Sequence, residues 1–146
     1  IFLPKGARVL PLNSEAADYK LAGSAANARL SDLHWPLDLV WLGMGADGHT
    51  ASIFPGSDYE EALNPAKGVR AIGVRPDPFP PEAPVDRVTL TVPAIVEART
   101  TMLVINGAEK QQVLEQAIEE GKKSAYPVGR VIDALTVPVD IYCLSV

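Results

Sequence analysis

Apolar residues in this chain fall in short, separated clusters, and the spacing inside each cluster predicts its element. Leu37 to Leu42 (LDLVWL) has no period-two alternation, which fits a strand covered on both faces. Val69 to Val74 is a second strand. Arg87 to Val92 alternates and is rich in β-formers, so it reads as a third. Thr101 to Ile105 and Val139 to Leu144 complete the strand set. Helical spacing appears after Ser14, a good N-cap, where Ala17, Leu21, Ala25 and Ala28 form one weakly apolar face, although Gly23 counts against it. Ala108 to Glu120 carries the clearest stripe, Val113, Leu114, Ala117 and Ile118, and Gly121 ends it. Shorter helical pieces are expected at His49 to Phe54, stopped by Pro55-Gly56, from Pro93 through Arg99, and near Val128 to Leu135. The segment Pro76 to Pro84 is too rich in proline for regular structure and forms a stiff loop.

Strands thus alternate with helices, which predicts one layered α/β domain over residues 1–146. The 146 residues are 47% hydrophobic and 21% charged, so a packed core is affordable and disorder is excluded for the bulk of the chain. The net charge of −5 shows no basic stripe, which argues against a nucleic-acid partner; an anionic ligand would need local Arg or Lys to overcome it. A single cysteine, Cys143, rules out an internal disulfide and is expected to be a buried small hydrophobe. Two histidines and one cysteine supply no structural zinc site. There is no signal-like segment and no 18-residue apolar run, so no membrane partner is expected and the cytoplasm is the default location. The chain opens on Ile1-Phe2-Leu3-Pro4 without a methionine, as a processed or truncated product does.

Chemistry concentrates in Gly43-Met44-Gly45-Ala46-Asp47-Gly48-His49. The segment fits G-x-G-x-x-G after a strand, the dinucleotide fingerprint, but three features oppose that reading. Pro55 cuts the following helix to about two turns. The second strand ends in Arg75 rather than an acidic residue. An ionisable cluster, Asp47-Gly48-His49-Thr50, occupies the turn itself. The alternative is an active-site loop at the C-terminal end of a sheet strand. Its glycines turn tightly and let backbone N–H groups approach an anion or oxyanion. His49, at the start of a short helix, would be kept neutral by the helix dipole and could act as a base. The plainer reading is a helix-start histidine bonded to a carbonyl. His34 reads as a loop residue without a role.

The run Leu37 to Gly56 resembles the 6-phosphogluconolactonases, in which a strand leads into LGMGxDGHTASLFPG. Asp86-Arg87-Val88-Thr89-Leu90-Thr91, Asn106-Gly107-Ala108-Glu109-Lys110 and Tyr126-Pro127-Val128 are similar to further segments of that family, from about Leu12 to the C-terminus. The related glucosamine-6-phosphate deaminases carry Asn where this chain has Asp47, and I-A-F-N-E where it has Thr50 to Phe54, so the loop favours lactone hydrolysis. Neither the family's Gly-Gly-Ser/Thr phosphate loop nor its Asp-Glu-Arg segment occurs, and the chain is similar to the C-terminal portion of such an enzyme.

The resemblance implies a Rossmann-like, mostly parallel layered sheet (NagB/RpiA/CoA-transferase-like) and hydrolysis of 6-phospho-D-glucono-1,5-lactone, with no cofactor and no metal. His49 would be the general base on water. Asp47 either orients it, bonds sugar hydroxyls or serves only the turn. Backbone N–H groups of the loop, at Gly43, Gly45 and Gly48, would bind substrate and oxyanion. Arg87 and Lys110 are candidate phosphate ligands, Lys110 in the first turn of a helix whose N-terminus favours anions; both could equally be solvated surface charges. The proline loop borders the site or merely connects. The alternatives are deamination or isomerisation of an amino sugar phosphate, and a noncatalytic phosphosugar-binding fragment.

Overall fold

The structure is a computed structural model and describes residues 5–12, 16, 18–81 and 84–144. Three parallel strands form its main sheet, in the order β1 (Val40–Leu42), β4 (Thr101–Asn106), β5 (Val139–Leu144). In register, Val40, Thr101 and Val139 lie side by side, as do Leu42, Leu103 and Ile141. Strand side chains alternate between faces, so Val40, Leu42, Leu103 and Ile105 share the face that carries the core. The opposite face exposes Trp41 (68%), Tyr142 and Leu144. Cys143 is exposed, contrary to the expectation from its apolar run. β5 is the sheet margin, and Asp140 to Leu144 are all exposed there.

The main sheet is parallel, as expected of a mostly parallel layered fold, and the other two strands lie outside it. β2 (Ala71–Val74) and β3 (Arg87–Leu90) form a separate antiparallel pair, with Ala71 opposite Leu90 and Val74 opposite Arg87. Parallel neighbours need a crossover, usually helical, to carry the chain back. The described residues of the connection 75–86 contain no helix, so the chain simply returns beside itself.

Helices complete the layers. α4 (Ala108–Glu120) has the expected bounds and ends at Gly121, whose φ is +55°. Its buried stripe is narrower than its sequence suggests: Leu114 and Ala117 are buried, Val113 is half-buried and Ile118 faces solvent. α3 (Val92–Val96) and α5 (Pro127–Asp133) are short and each carries a proline in its first turn, where a missing N–H costs nothing. A further short helix, α2 (Tyr59–Leu63), had no apolar periodicity to announce it.

The first helix shows why periodicity misled. α1 (Tyr19–Leu30) is capped by Asp18, whose carboxylate accepts from Lys20 N and Leu21 N; Ser14 and Ala17, assigned to its start, lie outside the described residues. Leu21 and Ala28, assigned to its apolar face, are exposed. The packed face is Gly23, Ala26 and Leu30, against β2. A Cβ on Gly23 would sit 1.9 Å from the backbone nitrogen of Gly73, and one on Gly73 would sit 1.7 Å from the carbonyl oxygen of Tyr19. Helix and strand therefore touch backbone to backbone, a contact selected by small size rather than hydrophobicity. Asn27 closes it by accepting from Arg70 N and Ala71 N at 2.7 and 3.3 Å.

A part-buried ion pair ties α1 to the segment before α2. The Asp58 carboxylate accepts from Lys20 Nζ at 2.7 Å and from Arg75 N at 2.8 Å, and Lys20 also reaches Glu61 at 2.6 Å. Partial burial opposes the lysine's charge, but the two carboxylates outweigh it and raise its pKa above 10.5.

Two outcomes follow from this packing. Gly23→Ala gains about 1 kcal/mol of helix propensity. It also forces a methyl group into backbone that cannot yield, and overpacking typically costs about 1–3 kcal/mol. Urea titration should therefore show a lower midpoint than wild type; an unchanged or higher midpoint would refute the close approach. For Lys20, the folded-state pKa is raised, so its stabilisation is complete below pH 10.5 and is lost as pH rises through the folded value. The stability difference between wild type and Lys20→Met should stay constant at neutral pH and shrink above 10.5 in alkaline unfolding experiments.

Candidate active site

The glycine loop leaves the C-terminal end of β1, the end of a parallel strand where backbone groups are no longer paired and ligands gather in open α/β sheets. Its course is set by internal bonds. Gly45 N donates to the carbonyl of His49 at 3.0 Å, and Gly48 N donates to the carbonyl of Gly45 at 3.0 Å. Thr50, fully buried, donates its hydroxyl to the carbonyl of Gly43 at 2.8 Å and so stitches the exit of the loop to its entry.

No helix follows. Residues 49–54 form turns and single bridges, Met44 with Thr50 and Thr50 with Ile53, which overturns the expected helix from His49 to Phe54. The cause lies in where the backbone groups go. Ala51 adopts a left-handed φ of +51°, Ile53 N closes a tight turn onto the carbonyl of Thr50, and Ser52 N donates to the hydroxyl of Thr89 on β3. The helix-dipole argument for a neutral His49 therefore falls. In its place stands a side-chain contact: Nδ1 of His49 is 2.6 Å from Oδ1 of Asp47, and His49 N also donates to that oxygen at 3.2 Å. A neutral imidazole that donates Nδ1–H to the carboxylate keeps its lone pair on Nε2.

Two glycines make room for this pair. A Cβ on Gly45 would come within 2.3 Å of His49 Cε1 and 2.5 Å of Asp47 Oδ1, so the imidazole and carboxylate lie directly over a bare backbone. Gly48, at φ +77°, would place a Cβ 2.5 Å from the ring of Tyr126, and its carbonyl accepts from Val128 N at the start of α5. The loop is thus held from below by α5. By contrast, a Cβ at Gly43 meets nothing, so that glycine is not required by space. The N–H groups of Gly45, Gly48 and His49 are all spent inside the loop, which corrects the expectation that those of Gly45 and Gly48 receive an oxyanion. Ala46 and Asp47, at the tip, are not used in this way.

Two adjoining clefts meet at this loop. One, of 520 Å³, is lined by Asp47, His49, Arg87, Lys110 and by Pro80 and Pro81 of the proline loop. The other, of 510 Å³, runs along β1 and shares Gly45, His49 and Lys110 with the first. Their size suits a small metabolite. The structure therefore brings Asp47, His49, Gly45, Arg87 and Lys110 to one place, gives the proline loop the bordering role, and leaves His34 exposed in its loop. Phe54 was not singled out from the sequence. Its ring stacks on His49 with centroids 4.1 Å apart, and the guanidinium carbon of Arg87 lies 5.1 Å from the same ring's centre. Among the described residues no group of three or more His, Cys, Asp or Glu side chains could hold a metal ion. No helix among them is long and apolar enough to cross a membrane.

The chain matches the family described as glucosamine-6-phosphate isomerases/6-phosphogluconolactonase over residues 2–137. It is 38% identical to a 6-phosphogluconolactonase of Mesorhizobium japonicum across 94% of this chain and 56% of that protein. The human 6-phosphogluconolactonase is 37% identical across 84% of this chain and 44% of its own length. The crystal structure of a 6-phosphogluconolactonase from Shewanella baltica superposes with a TM-score of 0.84 at 31% identity, covering 97% of this chain and 58% of that one. The chain thus spans about half the length of the curated relatives it matches. With a parallel sheet, a glycine loop at its strand ends and this extent of similarity, the chain belongs to the glucosamine-6-phosphate isomerase/6-phosphogluconolactonase family.

Proposed function

We propose that this site hydrolyses a phosphorylated sugar lactone, 6-phospho-D-glucono-1,5-lactone, to the open carboxylate. The observation that carries the reading is the Asp47–His49 pair at 2.6 Å in a cleft that also presents Arg87 and Lys110. Asp47 accepts Nδ1–H and fixes the tautomer. Nε2 of His49 takes a proton from water as the water oxygen bonds to the C1 carbonyl carbon. The resulting oxyanion is received by the N–H groups of Ala46 and Asp47 at the tip of the loop. Collapse breaks the bond from C1 to the ring oxygen, and the imidazolium returns its proton to that oxygen as the new hydroxyl. Water in, hydroxy acid out, the step balances without a covalent enzyme intermediate, a cofactor or a metal.

Arg87 and Lys110 place two positive charges in a chain of net charge −5, and they give the phosphate its anchor. Lys110 lies in the first turn of α4, whose macrodipole adds to the attraction. The substrate is small and soluble, and the same chemistry has no use for a nucleic acid or a membrane. We place the reaction in the cytoplasm on the same grounds.

His49→Ala should lower lactone hydrolysis by about 10²–10⁴-fold, to near the spontaneous rate. Turnover close to wild type in a pH-stat assay would remove the general-base role, and ammonia release from glucosamine 6-phosphate would favour deamination instead. Replacing Arg87 or Lys110 by Met should cost about ten- to a hundredfold in kcat/KM on the phosphorylated lactone, the scale of one charged hydrogen bond. Hydrolysis of the unphosphorylated glucono-1,5-lactone should change little. Equal losses on both substrates would assign these residues to folding rather than to phosphate recognition.

A further inference from the structure

Phe54 is buried, with 7% of its surface exposed, yet it belongs to neither hydrophobic cluster of the molecule. Its neighbour Ile53 is fully buried and does belong to the main core. The polar side chains that meet the Phe54 ring are those of the candidate site: the His49 imidazole stacks at 4.1 Å with planes 27° apart, and the Arg87 guanidinium carbon is 5.1 Å from the ring centre. His49 comes from the glycine loop, and Arg87 from the start of β3 on a different sheet.

The Asp47 bond alone does not aim the base. One hydrogen bond to Nδ1 fixes a point on the imidazole and leaves its plane free to swing about that point. A stacked ring fixes the plane. Phe54 can serve as that reference because the two residues before it are anchored: Ile53 N donates to the carbonyl of Thr50, and Ser52 N to the hydroxyl of Thr89 on β3. The same Thr89 bond ties this turn to the strand that carries Arg87. Stacking and cation–π geometry both favour a flat aromatic surface over any aliphatic side chain of similar volume.

We propose that Phe54 is a positioning residue for the reaction assigned above: its ring sets the plane of His49 and the placement of Arg87 together. The distance between the water-activating nitrogen and the anion-binding arm is thereby held by one rigid side chain. This selects substrates by the span between the reacting carbonyl and the phosphate. The proposal rests on the hydrolytic reading for its consequences, but its geometry can be tested without turnover.

The protein has two histidines, and exposed His34 is an internal reference for His49. In the wild-type proton spectrum the His49 Cε1–H resonance should lie upfield of that of His34 through the ring current of Phe54. It should move toward the His34 position in Phe54→Leu and return in Phe54→Tyr. Adding inorganic phosphate should perturb His49 in the wild type and not in Phe54→Leu. In turnover, Phe54→Leu should lose about ten- to a hundredfold in kcat on both phosphorylated and unphosphorylated lactone, the scale of a displaced catalytic group. It should raise KM only for the phosphorylated one, and Phe54→Tyr should restore both. A wild-type His49 resonance without the upfield displacement overturns the proposal, whether or not any variant folds. So does a folded Phe54→Leu with unchanged kcat on a protein that hydrolyses the lactone. If the resonances behave as stated and no lactone is hydrolysed, the positioning stands and the hydrolytic reading fails.

Discussion

The Asp47–His49 pair depends on the bare backbone at residue 45. Asp47 and His49 are two residues apart on a tight turn, and their side chains can meet only by folding back across that turn. The volume they occupy is the volume a side chain at 45 would need, since a Cβ there comes within 2.3 Å of the imidazole. Because the pair lies over the backbone, the N–H of Gly45 is shielded and bonds to the His49 carbonyl instead of facing the cleft. In the proposed reaction the oxyanion is accordingly received at the tip of the turn, by the N–H groups of Ala46 and Asp47. The glycines are thus valuable for the space they leave rather than for the donors they offer.

The scaffold around the loop turns this local fit into a fixed position. From below, Val128 N at the start of α5 bonds to Gly48, and the Tyr126 ring fills the space where a side chain at 48 would be. Tyr126 is itself placed by Ser124, whose buried hydroxyl accepts from Tyr126 N and donates to Glu120 at the end of α4. The Gln116 amide and the Ser124 hydroxyl both donate to the Glu120 carboxylate and hold its pKa below the usual value. From the side, Thr89 holds Ser52 against β3. The chain from Gly48 to Ser52, with no helix of its own, is therefore pinned by two separate elements, α5 and β3, which gives the proposed base a preorganised setting.

Much of this was legible in the sequence because strongly apolar runs and glycine–histidine spacing are local signals. β4, α4 and β5 came out at or within a residue of their expected bounds, since each has a continuous apolar run or a full helical stripe. Asp47, His49, Arg87 and Lys110 were marked by residue type and surroundings, and they line one cleft. What failed did so where contact depends on size or on distant partners. The packed face of α1 is made of Gly23 and Ala26, residues that a hydrophobic pattern scores low, against Gly73 far along the chain. The segment 49–54 has helix-compatible residues, but its N–H groups are taken by acceptors at 50 and 89. Phe54 was not singled out because sequence does not show which polar groups stand over a ring.

The exposed sheet face bears on the same site. Trp41 lies one residue before the end of β1, with 68% of its surface in solvent, and it lines the cleft that shares His49 and Lys110 with the cleft of Arg87. One boundary of this cleft is therefore formed by an apolar strand surface that costs free energy in water, by roughly 25 cal/mol for each Å² left uncovered. A base that must act on one ordered water gains from having few others nearby, because excluded water strengthens the Asp47 interaction and the oxyanion contacts alike. In the proposed reaction the position of the base is thus set by groups within the chain, Asp47 and Phe54, while its dielectric surroundings depend on what covers this face of β1.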